Sequence, residues 1–371
     1  MLRETTTKNQ FKLGVNFDYS LLAEIIKLND ESDGNKITEL YGSIAKHADL
    51  AARPDFRLPK IEDEELERYV NLAKANGIDF NYTLNSFMPY GSKVEFNKNL
   101  SQIIDLIQYL ESIGVYRLTV ANPLMLEVIR KYARSDIEVE LSTCAHIDAI
   151  TQIKYYHEKY GINKVCGNLN KNRDFKFLEK ASEYCKRNKM IYELMANEFC
   201  GVGGEGYATH CVYRDSCYMC HATNHTYGDS MLLNNYPMEL CTAARNADPV
   251  NWLKMRWIRP EDLRYYNDIG LYHFKITGRT GSTQYITETI RGYLKEDYDG
   301  NLLNLWKPLE SIKAGISEHQ VDKVNIPNKK LDGFLDKFIN SSHSCDYEEC
   351  GYTCGYCDWF YGEHIKGENN V

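Results

Sequence analysis

Cysteines carry most of the chemistry this chain could perform. Residues 198–225 read EFCGVGGEGYATHCVYRDSCYMCHATNH, which sets Cys200, Cys211, Cys217 and Cys220 among three histidines, and Cys241 follows in YPMELCT. A second group ends the chain, where CDYEECGYTCGYC spaces Cys345, Cys350, Cys354 and Cys357 over thirteen residues. Disulfides, structural zinc, an iron–sulfur cluster and a catalytic thiol all compete for such residues. The N-terminal MLRETTTKNQ has no apolar signal core, so a cytoplasmic, reducing location is expected, and it disfavours disulfides. Zinc usually takes paired Cys-x2–4-Cys knuckles, and in the first group Cys217-x2-Cys220 alone fits. The irregular run Cys200-x10-Cys211-x8-Cys220, with Cys241 beyond, suits thiolates converging on a 4Fe–4S cluster. A nucleophilic thiol would need a histidine, which His210 offers to Cys211 in sequence.

The tail cysteines also read as a metal site, holding either a second iron–sulfur cluster or a zinc, with Tyr352, Tyr356 and Trp359 shielding it. Their last three match the cluster motif of radical S-adenosylmethionine enzymes, in which the barrel follows the motif; here it would precede it. Two clusters would form an electron path into the barrel, and a redox partner or partner subunit is among the expected partners.

A different chemistry is written in FKITGRTGST, where Lys275 and Arg279 lie beside a glycine-rich helix start at Gly278, Gly281, Ser282 and Thr283. Cations next to free backbone N–H groups make an anion site. The substrate expected there is a small molecule or modified metabolite bearing an anionic group, with Glu193 as a possible neutralising partner. Polar residues end several predicted strands: Asn16, Asn85, Asn122, Ser142, Asn168 and Asn197 line a polar pocket or cap turns. The net charge of −8 favours neither nucleic acid nor anionic membrane, and the longest apolar runs are too short to span a bilayer.

These residues need a scaffold. Short apolar strands alternate with amphipathic helices from residue 12 to about 295, at 12–18, 37–43, 79–86, 115–122, 137–145, 164–170, 191–197 and 271–278. The helical run EDEELERYVNLAKANG repeats Leu66, Val70 and Leu72 or Ala73, and NLSQIIDLIQYLESIG repeats Ile103, Ile104, Ile107 and Leu110. Eight such units predict a (β/α)8 TIM-type barrel with a Val/Ile/Leu interior and its chemistry at the C-terminal strand ends. The barrel is expected over 1–300, with the cysteine-rich loop at 198–259 after the seventh strand. Residues 301–371 form a helical, cysteine-rich extension, with helices in NLLNLWKPLESI and LDGFLDKFINSS.

YELMANEFC…HC followed by RWIRPEDLRYYNDIGLYHFKITGR resembles the collagenase-like peptidase family, peptidase family U32, most strongly over 191–300. Several members are similar to oxygen-independent hydroxylation proteins, and some carry a 4Fe–4S cluster on four cysteines of the corresponding loop. The resemblance therefore implies Cys200, Cys211, Cys220 and Cys241 as ligands, with Cys217 competing for the third place. It implies an iron–sulfur redox enzyme performing oxygen-independent hydroxylation or related C–O chemistry, with Lys275 and Arg279 on the anion and Glu198 moving a proton. A U32 peptidase is the alternative, and a non-catalytic metal-bound scaffold in a complex is the third reading. The chain departs from the peptidase signature, whose cysteines lie closer together, in its run of Glu193, Asn197, Glu198, Cys200 and Cys211.

Overall fold

The computed structural model describes residues 8–53, 55–198, 248–279, 281–305, 324–339, 345, 350 and 352–368. Eight parallel strands close in chain order into a barrel. They are β1 Gln10–Gly14, β2 Lys36–Gly42, β3 Asp79–Leu84 and β4 Arg117–Val120, then β5 Glu138–Leu141, β6 Lys164–Cys166, β7 Ile191–Met195 and β8 His273–Ile276. β1 closes on β8 with Lys12 opposite Lys275. All eight predicted strands are present. Most are shorter than expected because their predicted C-terminal residues become caps of the following turns.

Between the strands lie helices that bury one face. In Asp63–Ala75 the buried positions are Leu66, Tyr69, Val70 and Ala73, whereas Leu72 is exposed. Ala73 therefore completes the stripe. In Leu100–Ser112 they are Ile103, Leu106, Ile107 and Leu110, with Ile104 at the margin. Beyond the barrel, Leu302–Leu305 is a short 3-10 turn where a longer helix was expected, and residues 306–323 of that segment lie outside the described residues. Asp336–Ile339 and Tyr356–His364 are the described α-helices of the extension. Among the described residues no helix is long and apolar enough to cross a membrane.

The barrel interior departs from the expected Val/Ile/Leu filling. Because side chains alternate along a strand, Phe11, Leu13, Leu40, Phe80, Val139, Val165, Leu194 and Phe274 face outward to the helices, and the residues between them face inward. Those inward residues are charged or polar. Lys12 donates to both oxygens of Glu140 and lies 3.0 Å from Glu193 and 3.5 Å from Glu39. Lys164 contacts Glu193 at 2.6 Å, Glu39 at 3.4 Å and Glu140 at 3.6 Å. Asn81 donates to Glu39 at 3.0 Å and Glu140 at 3.1 Å and accepts from Thr119 at 2.6 Å. Arg117, 3.3 Å from Glu39, ties this lattice to Glu138 at the lower rim. Glu193 therefore belongs to the barrel interior and is committed to two lysines; it is not a counter-ion reserved for the mouth.

Charges buried this deeply persist only when paired. Burial alone would raise the carboxyls of Glu193 and Glu39, yet the neighbouring Lys12 and Lys164 hold both below their ordinary value. Burial would likewise lower Lys12 and Lys164, but the glutamates around them hold both above theirs. Carboxyls held low stabilise the fold above the unfolded value and lose that contribution as pH falls through the folded one. Lysines held high stabilise it below their unfolded value and lose that contribution as pH rises through the folded one. Stability from this lattice should therefore be flat between about pH 5 and about pH 10, falling outside those limits. Urea midpoints measured across that range check this, and a steady decline from pH 8 to pH 6 would contradict it. Lys12→Met should cost ~3–5 kcal/mol by leaving Glu140 and Glu193 under-compensated, while Lys12→Met with Glu140→Gln should cost less than Lys12→Met alone.

Candidate active site at the barrel mouth

The interior lattice balances itself, with Lys12, Lys164 and Arg117 set against Glu39, Glu140 and Glu193. Lys275, one layer higher on β8, is the surplus cation. It is 5% exposed, its Nζ lies 4.2 Å from the centre of the Tyr41 ring, and among the described residues no carboxylate comes within 4.0 Å of it. Burial and Lys12 oppose its charge, Cys166, Tyr41 and Glu140 favour it, and the net shift is upward. Lys275 is therefore an ammonium at neutral pH, set to bind rather than to attack.

Arg279 joins it. At Gly278 the backbone adopts φ +112, a region that favours glycine, and the chain turns back over the mouth. A Cβ on Gly14 would lie 2.8 Å from the Tyr41 ring and 3.1 Å from Arg279 Cβ, so the bare glycine on β1 is what lets these two side chains close in. Burial and the neighbouring Arg53 push the Arg279 guanidinium down to about 10, against the pull of Tyr41 and Tyr82. Among the described residues, Arg279, Arg53 and Arg57 also lack a carboxylate within 4.0 Å.

Arg53 and Arg57 escaped the sequence reading because they sit in the loop after β2, which has no motif. The structure shows how that loop is held. Tyr82 faces outward from β3; its hydroxyl accepts Ile44 N–H at 3.2 Å and lies 2.6 Å from His47 Nδ1. Asn85 accepts Ala52 N–H at 3.2 Å, and Ser86 N–H reaches Leu50 O at 3.0 Å. Burial pushes His47 down to about 4, so it is neutral and serves the clamp.

The other strand-end asparagines are mostly caps. Asn122 caps Pro123–Tyr132, Asn168 caps the turn Leu169–Lys171, and Asn197 grips Thr277 through both its N–H (2.6 Å) and C=O (3.1 Å). Asn85 also reaches Ser142 at 3.3 Å. The helix Thr283–Lys295 is capped by Ser282, and the Thr283 hydroxyl is taken by Asp18 at 2.6 Å. Ser282 and Asp18 thus engage that helix start, and the cationic groups of the mouth are side chains. Glu198 lies beside Tyr285, whose ring covers Gly278 and Gly281.

Two buried thiols border the mouth. Burial pushes Cys166 up to about 12 and raises Cys144 as well, which is the wrong direction for a nucleophile. Glu140, Cys166 and Glu193 offer ligand atoms within 4.8 Å of one another. Lys12 and Lys164 already fill that space as counter-ions, so the trio reads as part of the lattice. Cys200, Cys211, Cys217, Cys220 and Cys241, with His210, lie outside the described residues. The chain leaves the described barrel at Glu198 and re-enters it at Asp248, and Ile258 N–H then binds Ala196 O at 2.8 Å beside the end of β7.

The tail cysteines are described. Cys345 and Cys357 are buried, Cys350 and Cys354 are half-buried, and Cys350 and Cys354 form a β-bridge. Tyr356–His364 packs on Val250–Lys254, with the Cys357 Sγ 3.8 Å from Leu253 O. Of the expected shielding aromatics, Tyr356 packs on Phe334, whereas Tyr352 is 88% exposed and shields nothing.

Eight parallel strands closed in chain order, with helices between them, make a (β/α)8 TIM-type barrel, here with a cationic C-terminal mouth. The model of peptidase family U32 matches residues 48–187 of the chain. An uncharacterized protease of Methanocaldococcus jannaschii is 24% identical over 299 residues, covering 79% of each chain. Among solved structures, the U32 peptidase Mk0906 is similar at 14% identity and TM-score 0.43, covering 75% of this chain and 96% of its own. An N-acetylneuraminate lyase from Mycoplasma synoviae is similar at 10% identity and TM-score 0.38, covering 98% and 100%.

The surroundings hold the Lys275 ammonium above its ordinary value, so the folded protein favours its charge at neutral pH. Lys275→Met should therefore not raise the melting temperature of the ligand-free protein at pH 7, and a clear rise would show the charge to be a cost to folding.

Proposed function

We propose that the barrel mouth is the active site of an enzyme that binds a substrate through a carboxylate or phosphate held by Lys275, Arg279 and Arg53. The observation that carries this reading is the set of mouth cations with no carboxylate partner among the described residues, above a lattice whose own charges balance. A low-dielectric mouth strengthens each contact to an anion, and the guanidinium planes can grip it bidentately. Glu198, at the end of β7, is the residue proposed to exchange a proton with the substrate.

Of the possible reactions, peptide-bond hydrolysis is supported by the family's description and by the relative described as a protease. The anion would then be a carboxylate of the peptide, and the mouth cations would set which bond faces Glu198. A second reading is favoured by the spacing of Cys200, Cys211, Cys220 and Cys241. As ligands of a 4Fe–4S cluster they would supply one-electron chemistry beside the same anchored substrate, and oxygen-independent hydroxylation would be the outcome.

The two readings separate on oxygen-free protein. Cleavage of peptides with a free C-terminal carboxylate but not of their amides, retained after iron chelation, would support hydrolysis at this mouth. About four iron and four sulfide lost in Cys200→Ala and Cys241→Ala, together with no cleavage of any peptide, would support the redox reading. In either case Lys275→Met should weaken binding of the anionic substrate by roughly 10–100-fold, one charge-assisted contact being worth ~1.5–3 kcal/mol. Binding unaffected by Lys275→Met and by Arg279→Met would remove the mouth as the anion site.

A further inference from the structure

The turn that carries Arg279 is held from two sides, and both holders meet on one carbonyl of the extension. The β7–β8 pairing runs up to Ala196, whose N–H binds Lys275 O at 2.9 Å. The next rung is made by a side chain. Asn197 Oδ1 accepts the Thr277 N–H at 2.6 Å and the Thr277 hydroxyl at 3.2 Å, and its Nδ2 donates to Thr277 O at 3.1 Å. The same Nδ2 also donates to Leu305 O at 3.1 Å. On the far side of the turn the Tyr285 ring lies against Gly278 and Gly281, and its hydroxyl donates to that same Leu305 O at 2.9 Å.

Asn197 is 1% exposed, and a primary amide offers two donor hydrogens and an oxygen with two lone pairs. All four are used inside the protein, so Asn197 has no capacity left for a ligand. It copies a backbone rung instead. The β7–β8 ladder is extended by one step to Thr277, two residues beyond Lys275 and two short of Arg279. There the ladder ends and Gly278 turns the chain at φ +112. The place of Arg279 relative to Lys275 is therefore set by Asn197 and Tyr285, and through them by Leu305.

Leu305 is itself fixed. It closes the 3-10 turn Leu302–Leu305, whose Leu302 N–H binds Ile326 O at 2.8 Å, and Arg259 donates to Asn328 O at 2.7 Å two residues further on. Next to Arg259, the Ile258 N–H binds Ala196 O at 2.8 Å. The path of contacts that leaves β7 at Asn197 thus runs through the extension and returns to β7 at Ala196.

We infer that Asn197 and Tyr285 are positioning residues for the mouth, acting with Leu305 O to hold Arg279 against Lys275, so that the extension is a working part of the anion site. The chemical role rests on the reading of the mouth as an anion site; the clamp itself rests on its hydrogen bonds alone.

Two measurements on the full chain test this. Without ligand, amide hydrogen exchange reads the clamp: Asn197→Ala should speed exchange at Thr277 and over 301–305 and leave β2, β3 and β4 unchanged. With inorganic phosphate as the probe, the rise in melting temperature gives an apparent affinity for each variant. Arg279→Met should weaken it by about tenfold, Asn197→Ala by about fivefold, and Tyr285→Phe in the same direction by less. Ile107→Val, a core change on the helix Leu100–Ser112, should lower the melting temperature without changing that affinity. The double variant decides. If Asn197 acts through Arg279, adding Asn197→Ala to Arg279→Met should weaken phosphate no further. Additive losses, an unchanged affinity in a folded Asn197→Ala, or unchanged exchange at Thr277 would each overturn the inference. If Asn197→Ala fails to fold, Tyr285→Phe takes its place in the same cycle and is judged by the same outcomes. A parent that phosphate does not stabilise, or stabilises equally with Arg279→Met, would remove the anion reading of the mouth and the chemical role with it, while released exchange at Thr277 would leave the clamp standing.

Discussion

The Lys12–Glu140–Glu193–Lys164 lattice is the interaction on which the rest of this barrel depends. With Glu39, seven of the eight strands place a group in it or in its hydrogen bonds to Asn81 and Thr119. A Val/Ile/Leu interior tolerates sliding of one strand against its neighbour, because one methyl resembles another. Charges do not: a two-residue slip of β5 would carry Glu140 away from Lys12 and bury both unpaired. The lattice thus contributes more to fixing strand register than to net stability, as buried ion pairs do in the best-attested cases. Its carboxylates pair with Lys12, Lys164 and Arg117, and none of them comes within 4.0 Å of Lys275.

Most of the architecture was legible in the sequence, and the reason is physical. Strands such as FKL at 11–13, VEL at 139–141 and YEL at 192–194 alternate with period two, and helices such as Asp63–Ala75 repeat with period 3.6. The interior charge was present in those same triplets yet was misread. An alternating strand ordinarily turns its polar residues to water, whereas both faces of a barrel strand are buried, one by helices and one by the opposite strands. Nothing local tells Glu140 that its partner is Lys12, 128 residues earlier. The same holds for Arg53, whose place at the mouth depends on a clamp from Tyr82 and Asn85 on another strand. Lys275 and Arg279 were legible because strand end, glycine turn and helix start are contiguous. The strand-end asparagines were half legible: their polarity was plain, but whether an amide caps a turn or faces a ligand depends on the neighbouring strand.

The chain carries a net charge of −8, so its buried cations do not follow from a basic composition. Acidic residues are abundant, and the fold nevertheless sets buried cations against aromatic rings in two places. At the mouth, Gly14 lets the Tyr41 ring and Arg279 close in, and Lys275 lies against the same ring. Beneath the tail, Trp257 and Phe334, stacked on each other, both lie against Arg173, while Asp262 is held by Arg259. Aromatic faces partly solvate a guanidinium, at about 0.5–2 kcal/mol each, which is enough to hold it in place and too little to replace a counter-ion.

The two places are built differently. The mouth cations come from one strand end, Lys275 and Arg279 at β8, and from the loop after β2, Arg53. Arg173 and Arg256 lie on segments tied together by Asn172, which donates at 2.8 Å to Met195 O on β7 and at 2.9 Å to Arg256 O. Cys345 and Cys357 stand beside Arg173, and Cys350 and Cys357 beside Arg256. A site that must exchange its anion at every turnover gains from carrying its cations on a strand end and a loop, where they can adjust to a ligand. A guanidinium held between segments tied to one another, as Arg173 is, stays fixed and serves the packing of those segments.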